Sequence, residues 1–463
     1  MLSREIIEAA RLSRAGCLPP FGSGDARRRM RNRPLSMVFI IVFRHVRSNP
    51  PGKGGSMKVL LIQSPTGRRE APIYPLGPAF LSAHLKARGH EVSGVDLSLH
   101  IDPVPALLRA LKETRPDAAA VSLRNIDDSS WPVTWSYMES FDRVMDVLRD
   151  FQGTLVVGGT GFSIYADAIL ERWPGVRFGI SGEGEEALPD LLDRIETGNA
   201  PAERLITPSM PDVGTLLNPD YTLFPLSDYP GRGSIGLQSR RGCPFGCRYC
   251  TYGRIGGRSF RTRPVEKVVE DARRLEQLGA RSFMFVDSVF DHPRGYAEQL
   301  VRALGASGTE LEWGAWLSES VSSDFLCLLR ANGCSWVDFS PDAVTARGMR
   351  LLGKPSGGRR LFSVVRDARR AGLTVGVNFF NGNPGEGFPA LLLKLAFMFA
   401  ARALLGFRRT FVNIGTIRIY PGSPMAMDLP PGTDLMEPVF MAPRGLSAAV
   451  HRLFAAVRRR RRR

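Results

Sequence analysis

The chain is poor in the features that define several common protein classes. It has six cysteines in 463 residues, too few and too scattered for the disulfide framework of a small secreted domain. It has six histidines, and none falls between Cys243 and His292. A zinc site built from a cysteine pair and a histidine pair therefore has little to draw on. The apolar run Met37–Phe43 is far short of the roughly 20 residues that span a bilayer, and it lacks a signal-peptide cleavage site. No transmembrane segment is expected. Leu391–Leu405 is apolar all round except for Lys394 and Arg402, and the expectation is a buried barrel helix rather than membrane contact.

The body also lacks net charge. The formal +17 divides into +8 in residues 1–56, +8 in 444–463 and +1 between them. A specific nucleic-acid binder carries its charge on a folded face, so that class is not expected. Residues 1–56 show no strand–helix alternation, whereas Met57–Ile62 reads as a buried strand. The leader is expected to be disordered or mis-assigned, with Met57 the functional start. Arg458–Arg463 form a like-charge block of the kind that is usually solvated.

What is present is a long alternation of strands and helices. In residues 57–198 strands are expected at Val59–Gln63, Glu91–Asp96, Ala118–Ser122, Thr154–Val157 and Arg177–Ser181, with helices between them. This pattern predicts an N-terminal doubly wound, Rossmann-like parallel sheet, which binds ligands outside the carboxyl ends of its strands. Those ends carry Ser122 and Asn125, then Gly158, Gly159, Thr160 and Gly161, then Gly182, Glu183 and Gly184. Glycine there admits a bulky ligand to the backbone; the alternative is that the glycines only make tight turns. Residues 199–232 are Pro-rich, a linker or a wrapping loop. Six further βα units over 233–425 predict a partial (βα)6 barrel, followed by an extension over 426–463.

The chemistry is concentrated in one loop. Ser239–Tyr252 reads Ser-Arg-Arg-Gly-Cys-Pro-Phe-Gly-Cys-Arg-Tyr-Cys-Thr-Tyr, a C-x-x-x-C-x-x-C array of Cys243, Cys247 and Cys250. A cubane iron–sulfur cluster is normally held by four thiolates. Three leave one iron open to a substrate. The alternative is zinc. The other described possibility for cysteine, core packing, is expected for Cys327 and Cys334.

This loop closely resembles that of the radical S-adenosylmethionine (SAM) superfamily. The resemblance implies a [4Fe–4S] cluster on Cys243, Cys247 and Cys250 whose open iron binds SAM and whose electron cleaves it to a 5'-deoxyadenosyl radical. It further implies SAM contacts at Tyr249, Asp287, Ser288, Ser340, Asp342, Gly385 and Glu386, each of which could instead be a helix cap. The Gly158–Ser163 and Gly182–Glu185 turns resemble those of the cobalamin-binding domain that precedes many such barrels. Cobalamin contacts are then implied at Ser122, Asn125, Gly158, Gly159, Thr160, Gly161, Gly182, Glu183 and Gly184. The cobalt-ligating histidine of many such domains is missing after the first strand, where the chain reads Ser64-Pro65-Thr66-Gly67-Arg68-Arg69. The polar loop Asn125–Trp131 is expected to cover cofactor or substrate.

The implied activity is cobalamin-dependent C-methylation of a small-molecule or lipid substrate in a secondary-metabolite, lipid or tetrapyrrole pathway. It would run in the cytoplasm with an electron donor such as flavodoxin or ferredoxin. The alternatives are a cobalamin-linked radical rearrangement or cyclisation, and a non-catalytic cobalamin-binding relic. Methylthio transfer is not expected, since Met57–Arg241 contains no cysteine.

Overall fold

A computed structural model describes residues 56–66, 71–354 and 361–462. The expectations for the leader before Ser56 and for Arg68 and Arg69 lie outside the described residues.

Two six-stranded parallel sheets carry the fold. The first contains β1 (Lys58–Gln63), β2 (Glu91–Asp96), β3 (Ala118–Ser122), β4 (Thr154–Gly158), β5 (Phe178–Ile180) and β6 (Leu205–Ile206) in the order 2-1-3-4-5-6. Central strand β3 is buried along Ala118–Val121, as a strand covered on both faces must be. One face packs Leu60, Ile62 and Val121 against α2 (Pro103–Thr114) and α3 (Met138–Leu148). The other packs Val59, Leu61 and Ile180 against α1 (Leu76–Ala87) and α6 (Ala187–Glu196). Between them in sequence lie α4 (Thr160–Ile164) and α5 (Ala166–Arg172).

The second sheet is β7 (Gly236–Leu237), β10 (Ser282–Phe285), β11 (Glu312–Leu317), β12 (Cys334–Asp342), β13 (Thr374–Phe380) and β14 (Thr410–Gly415), adjacent in sequence order and parallel throughout. Its helices are α8 (Val265–Gln277), α9 (Arg294–Ala306), α10 (Ser323–Ala331), α12 (Leu361–Arg370) and α13 (Phe388–Leu405). Strand alternation divides its faces. Val375, Val377 and Phe379 of β13 join the helix-covered core, while Gly376 and Asn378 point to the concave side. An antiparallel pair, β8 (Arg240–Arg241) with β9 (Arg261–Thr262), closes the base of the cysteine loop. The short α7 (Tyr252–Ile255), α11 (Ala346–Leu351) and the C-terminal α14 (Gly445–Arg462) complete the described elements used below.

The structure decides two open points and corrects one expectation, that Cys327 packs in the core. Of the two readings of the Pro-rich segment 199–232, the wrapping loop is the one observed. Tyr221, Phe224 and Tyr229 are buried around Tyr74, and the Tyr229 hydroxyl donates to Asp96 at 2.7 Å. The last strand ends at Gly415, because Ile417 and Ile419 turn into a separate apolar cluster with Met349 and Met425. Cys327 is exposed; only Cys334 is buried.

Helix α13 is also not the buried helix its composition suggested. Its inner side presents Ala390, Leu391, Lys394 and Ala401, but Leu392, Leu393, Phe399 and Leu404 are exposed. Lys394 is there for a reason. Its ammonium bonds the Phe380 carbonyl at 2.7 Å and pairs with Glu386, both side chains being almost wholly buried. Removing one member leaves the other's charge buried without its countercharge, at a cost of about 3–5 kcal/mol. The Lys394→Met variant should lose stability on that scale in denaturant unfolding, and adding Glu386→Gln should restore part of it.

Candidate iron–sulfur and cobalamin site

The cysteine loop is fixed from four sides. Asp287, at the end of β10, accepts from Ser239 N at 2.9 Å, Ser239 Oγ at 2.5 Å and Arg240 N at 3.2 Å. Ser288 Oγ donates to the Gly242 carbonyl at 2.9 Å. Gly242 has φ +80°, and a Cβ there would lie 2.1 Å from Ser259 O, so only glycine fits. On the far side Arg248 N donates to Leu352 O and Met425 N to Arg248 O, each at 2.9 Å. Asp287 and Ser288 thus clamp the root of the loop, and Asp287 is fully buried in doing so.

Cys243, Cys247 and Cys250 are each half-buried on this loop. Among the described residues no group of three or more His, Cys, Asp or Glu is placed to hold a single metal ion. Burial pushes the Cys247 thiol up to about 11 and raises that of Cys250 as well. A metal that binds there must displace the protons of these two thiols.

Tyr249 and the ends of β12 and β13 meet beside the cysteines. The Tyr249 hydroxyl donates to Asp342, and its ring packs edge-on against Phe380 at 5.4 Å. Ser340 Oγ donates to Asp342 at 3.0 Å. Lys354, which the sequence reading missed, places its ammonium 3.0 Å from Asp342 and 2.6 Å from the Ser340 carbonyl. These groups form a polar patch able to meet the ends of a zwitterion. Glu386 is different. One oxygen accepts from Val344 N, Thr345 N and Thr345 Oγ at 2.8–3.0 Å, and the other faces Asn383 and Lys394. Burial alone would raise its carboxyl, but Lys394 outweighs this and holds it below its usual value. Glu386, with Gly385 at φ +74°, holds the turn and has no free oxygen to offer.

Beyond the loop lies a cavity of about 320 Å³. Ser122, Gly158, Gly159, Thr160, Gly182, Glu183 and Gly184 line it from the first sheet, and Gly242, Thr251, Tyr252 and Gly256 line it from the cysteine loop. Leu61, Ala120, Val156 and Ile180 continue it down one face of the sheet. Asn125 and Gly161 are not on its wall. A Cβ at Gly161 would press on Leu123 O and Arg124, so this glycine serves a tight turn. Gly158 has no such need, since its Cβ would meet nothing nearer than Ile180 O at 3.5 Å. That bare backbone leaves the strand end open to a flat ligand.

The loop 125–131 docks on the chain's C-terminal part. Buried Arg418 donates to Asp127 at 2.6 Å, Ser129 Oγ lies 2.6 Å from the Tyr420 hydroxyl, and Trp131 packs on His451 with ring centres 5.2 Å apart. The turn Gly182–Glu185 docks on the barrel. Arg241 bonds Glu183 at 2.9 Å and Glu185 at 2.5 Å, and Arg261 bonds Glu183 as well. Arg241 directly precedes Gly242 and the cysteines, but no local signal tied it to carboxylates more than fifty residues upstream.

The two neighbouring glycines separate a ligand role from a folding role. Gly158→Val should fold as the parent does and bind cobalamin at least tenfold more weakly by visible-absorbance titration. Gly159→Ala should instead lose more than about 1 kcal/mol of stability, since φ is +95° and its Cβ would lie 2.7 Å from Leu123 O.

Comparison with known proteins agrees with this geometry. The Radical SAM superfamily profile matches residues 237–389, and the B12 binding domain profile matches residues 65–192. An uncharacterized methyltransferase of Pyrococcus horikoshii is 23% identical over 71% of this chain and 75% of its own. The hopanoid C-3 methylase of Methylococcus capsulatus is 26% identical over 66% of this chain, which spans 60% of that enzyme. A radical SAM methyltransferase from Kitasatospora setae, solved with tryptophan substrate and a SAM analogue, superposes with TM-score 0.71 at 21% identity, covering 81% of this chain and 76% of its own. At that identity the likeness concerns the fold. The chain is thus an enzyme that carries a radical SAM domain over residues 237–389 and a B12-binding domain ahead of it over residues 65–192.

Proposed function

We propose that the chain is a cobalamin-dependent radical SAM C-methyltransferase, acting on a small-molecule or lipid substrate in a secondary-metabolite, lipid or tetrapyrrole pathway. The observation that carries the reading is the shared wall. The loop that bears Cys243, Cys247 and Cys250 also supplies Gly242, Thr251 and Tyr252 to the cavity beneath the first sheet. When bound, the cluster supplies the electron that cleaves SAM, and the cobalamin supplies a carrier for its methyl group. The three cysteines would hold the cluster. Asp342, Ser340 and Lys354 would orient the amino and carboxylate ends of SAM, and Tyr249 would bound its aromatic part. Gly158, Gly182 and Gly184 would admit the corrin, while Arg241 and Arg261 keep the two sites in register. The relatives named as methylating hopanoid and tryptophan support methyl transfer over rearrangement. An electron donor of the flavodoxin or ferredoxin type completes the scheme.

Anaerobically reconstituted protein should contain about four irons per chain. It should form S-adenosylhomocysteine from SAM only when cobalamin is present. SAM cleavage without that product would favour rearrangement or cyclisation. Cys247→Ala should lose the iron and all reductive SAM cleavage; full cleavage by that variant would refute the cluster assignment.

Among the described cavity residues there is no histidine. His84 is occupied elsewhere, its Nε2 accepting the Leu217 N–H at 3.1 Å. The cobalt(II) protein should therefore show no imidazole nitrogen splitting in electron paramagnetic resonance, and His84→Ala should leave the spectrum unchanged. A splitting that vanishes in that variant would overturn the histidine-free site.

A further inference from the structure

Helix α13 has an outer face that its place in the barrel does not explain. Pro389, Leu392, Leu393, Ala396, Phe399, Ala403 and Leu404 are exposed, and at the helical repeat they fall on one stripe. Leu393 is 53% exposed, Phe399 60% and Leu404 72%. Barrel helices normally turn charged residues to solvent; this stripe has none over 18 residues. Phe407, just past the helix, is equally exposed. The helix cannot thread a bilayer. Its first turns are tied by the buried Lys394–Glu386 pair, and it leads directly into β14, which is paired along its length with β13. It can lie on a bilayer.

The charge around the stripe names the partner. From Gly387 to Met427 the chain contains no aspartate or glutamate. Lys394 and Arg418 are used internally, by Glu386 and Asp127. Arg402 stacks on Phe407 at 4.5 Å. Arg408 and Arg409 are exposed, and among the described residues neither has a carboxylate partner. Arg369, which bonds the last turn of α13 at Leu405 O, lies close enough to Arg409 for their charges to repel. An apolar stripe ending in uncompensated arginines is the pattern of a helix that rests in the headgroup region of anionic lipid. A second copy of the chain would bring the same arginines and no acid to meet them.

We propose that the outer face of α13, with Arg402, Arg408 and Arg409 at its C-terminal end, seats the protein on an anionic phospholipid bilayer. The apolar side chains enter the acyl boundary, and the guanidinium groups meet the phosphates. This inference stands apart from the methyl-transfer reading; either can fail alone.

The test is flotation of the full chain with vesicles of phosphatidylcholine, alone or mixed with phosphatidylglycerol, alongside sedimentation without lipid. Wild type should float with the phosphatidylglycerol vesicles, and much less with the neutral ones. Leu393→Glu/Phe399→Glu should lower the partition coefficient by about tenfold or more. Arg408→Gln/Arg409→Gln, which leaves the stripe intact, should lower it about tenfold on anionic vesicles alone. Both changes lie at exposed positions, and unchanged circular dichroism would establish that each variant is folded. No flotation by wild type, equal flotation with both vesicle types, or flotation unaffected by the double glutamate change would overturn the proposal. So would a wild-type dimer that the glutamate variant splits into monomers, which would assign the face to a second copy.

Discussion

The site depends on a buried ionic junction. Glu183 and Glu185 leave the fifth strand of the first sheet and meet Arg241 and Arg261, which flank the cysteine loop of the second. All four side chains are largely buried. Burial alone would raise the Glu185 carboxyl, but Arg241 outweighs it and holds the group below its usual value. Such networks add little net stability compared with apolar packing, yet they penalise every misaligned arrangement, because a displaced partner leaves a bare charge in a dry site. Arg241 also lies over the ring of Phe80 at 5.4 Å and Arg263 over the same ring at 5.3 Å. The carboxyl edges of the two sheets are thereby set on either side of one loop.

That placement explains a division of labour among the polar residues. Asp287, Ser288 and Glu386 resemble ligand contacts in sequence, yet their hydrogen bonds run to the backbone of the cysteine loop and of the neighbouring turns. They hold geometry. Tyr249, Ser340 and Lys354 instead converge on buried Asp342 beside the cysteines. The glycines divide in the same way. Gly161 and Gly242 have protein atoms where a Cβ would go, while Gly158 has room. A glycine left bare without a packing reason is the stronger mark of a ligand.

The outer surface follows another constraint. The barrel needs α13 only for its inner stripe and for Lys394, so the remaining surface is free to diverge. It is apolar here, and the arginines that follow it are not neutralised. Such a surface has to be read from the exposure of each residue, because mean hydropathy does not distinguish a buried helix from one that lies on a bilayer.

Local patterns in the chain suffice for the two α/β halves, the alternation of strands and helices, the three thiolates and the glycine turns at the strand ends. These are local features: period-two and period-3.6 patterns, a fixed cysteine spacing, and turns that need positive φ. Every strand expected in residues 57–198 is present, with the fifth shortened to Phe178–Ile180 so that Arg177 and Ser181 fall just outside the ladder. Only the assembled fold settled which polar residues bond the cysteine loop and which gather around Asp342 beside it. It also decided that segment 199–232 packs as core, that Arg241 finds Glu183 and Glu185, that Lys354 reaches Asp342, and that α13 keeps a bare apolar face. Each of these depends on a contact between residues distant in the chain, or on whether a neighbour covers a surface. No local pattern encodes that, because burial and charge compensation are properties of the assembled fold.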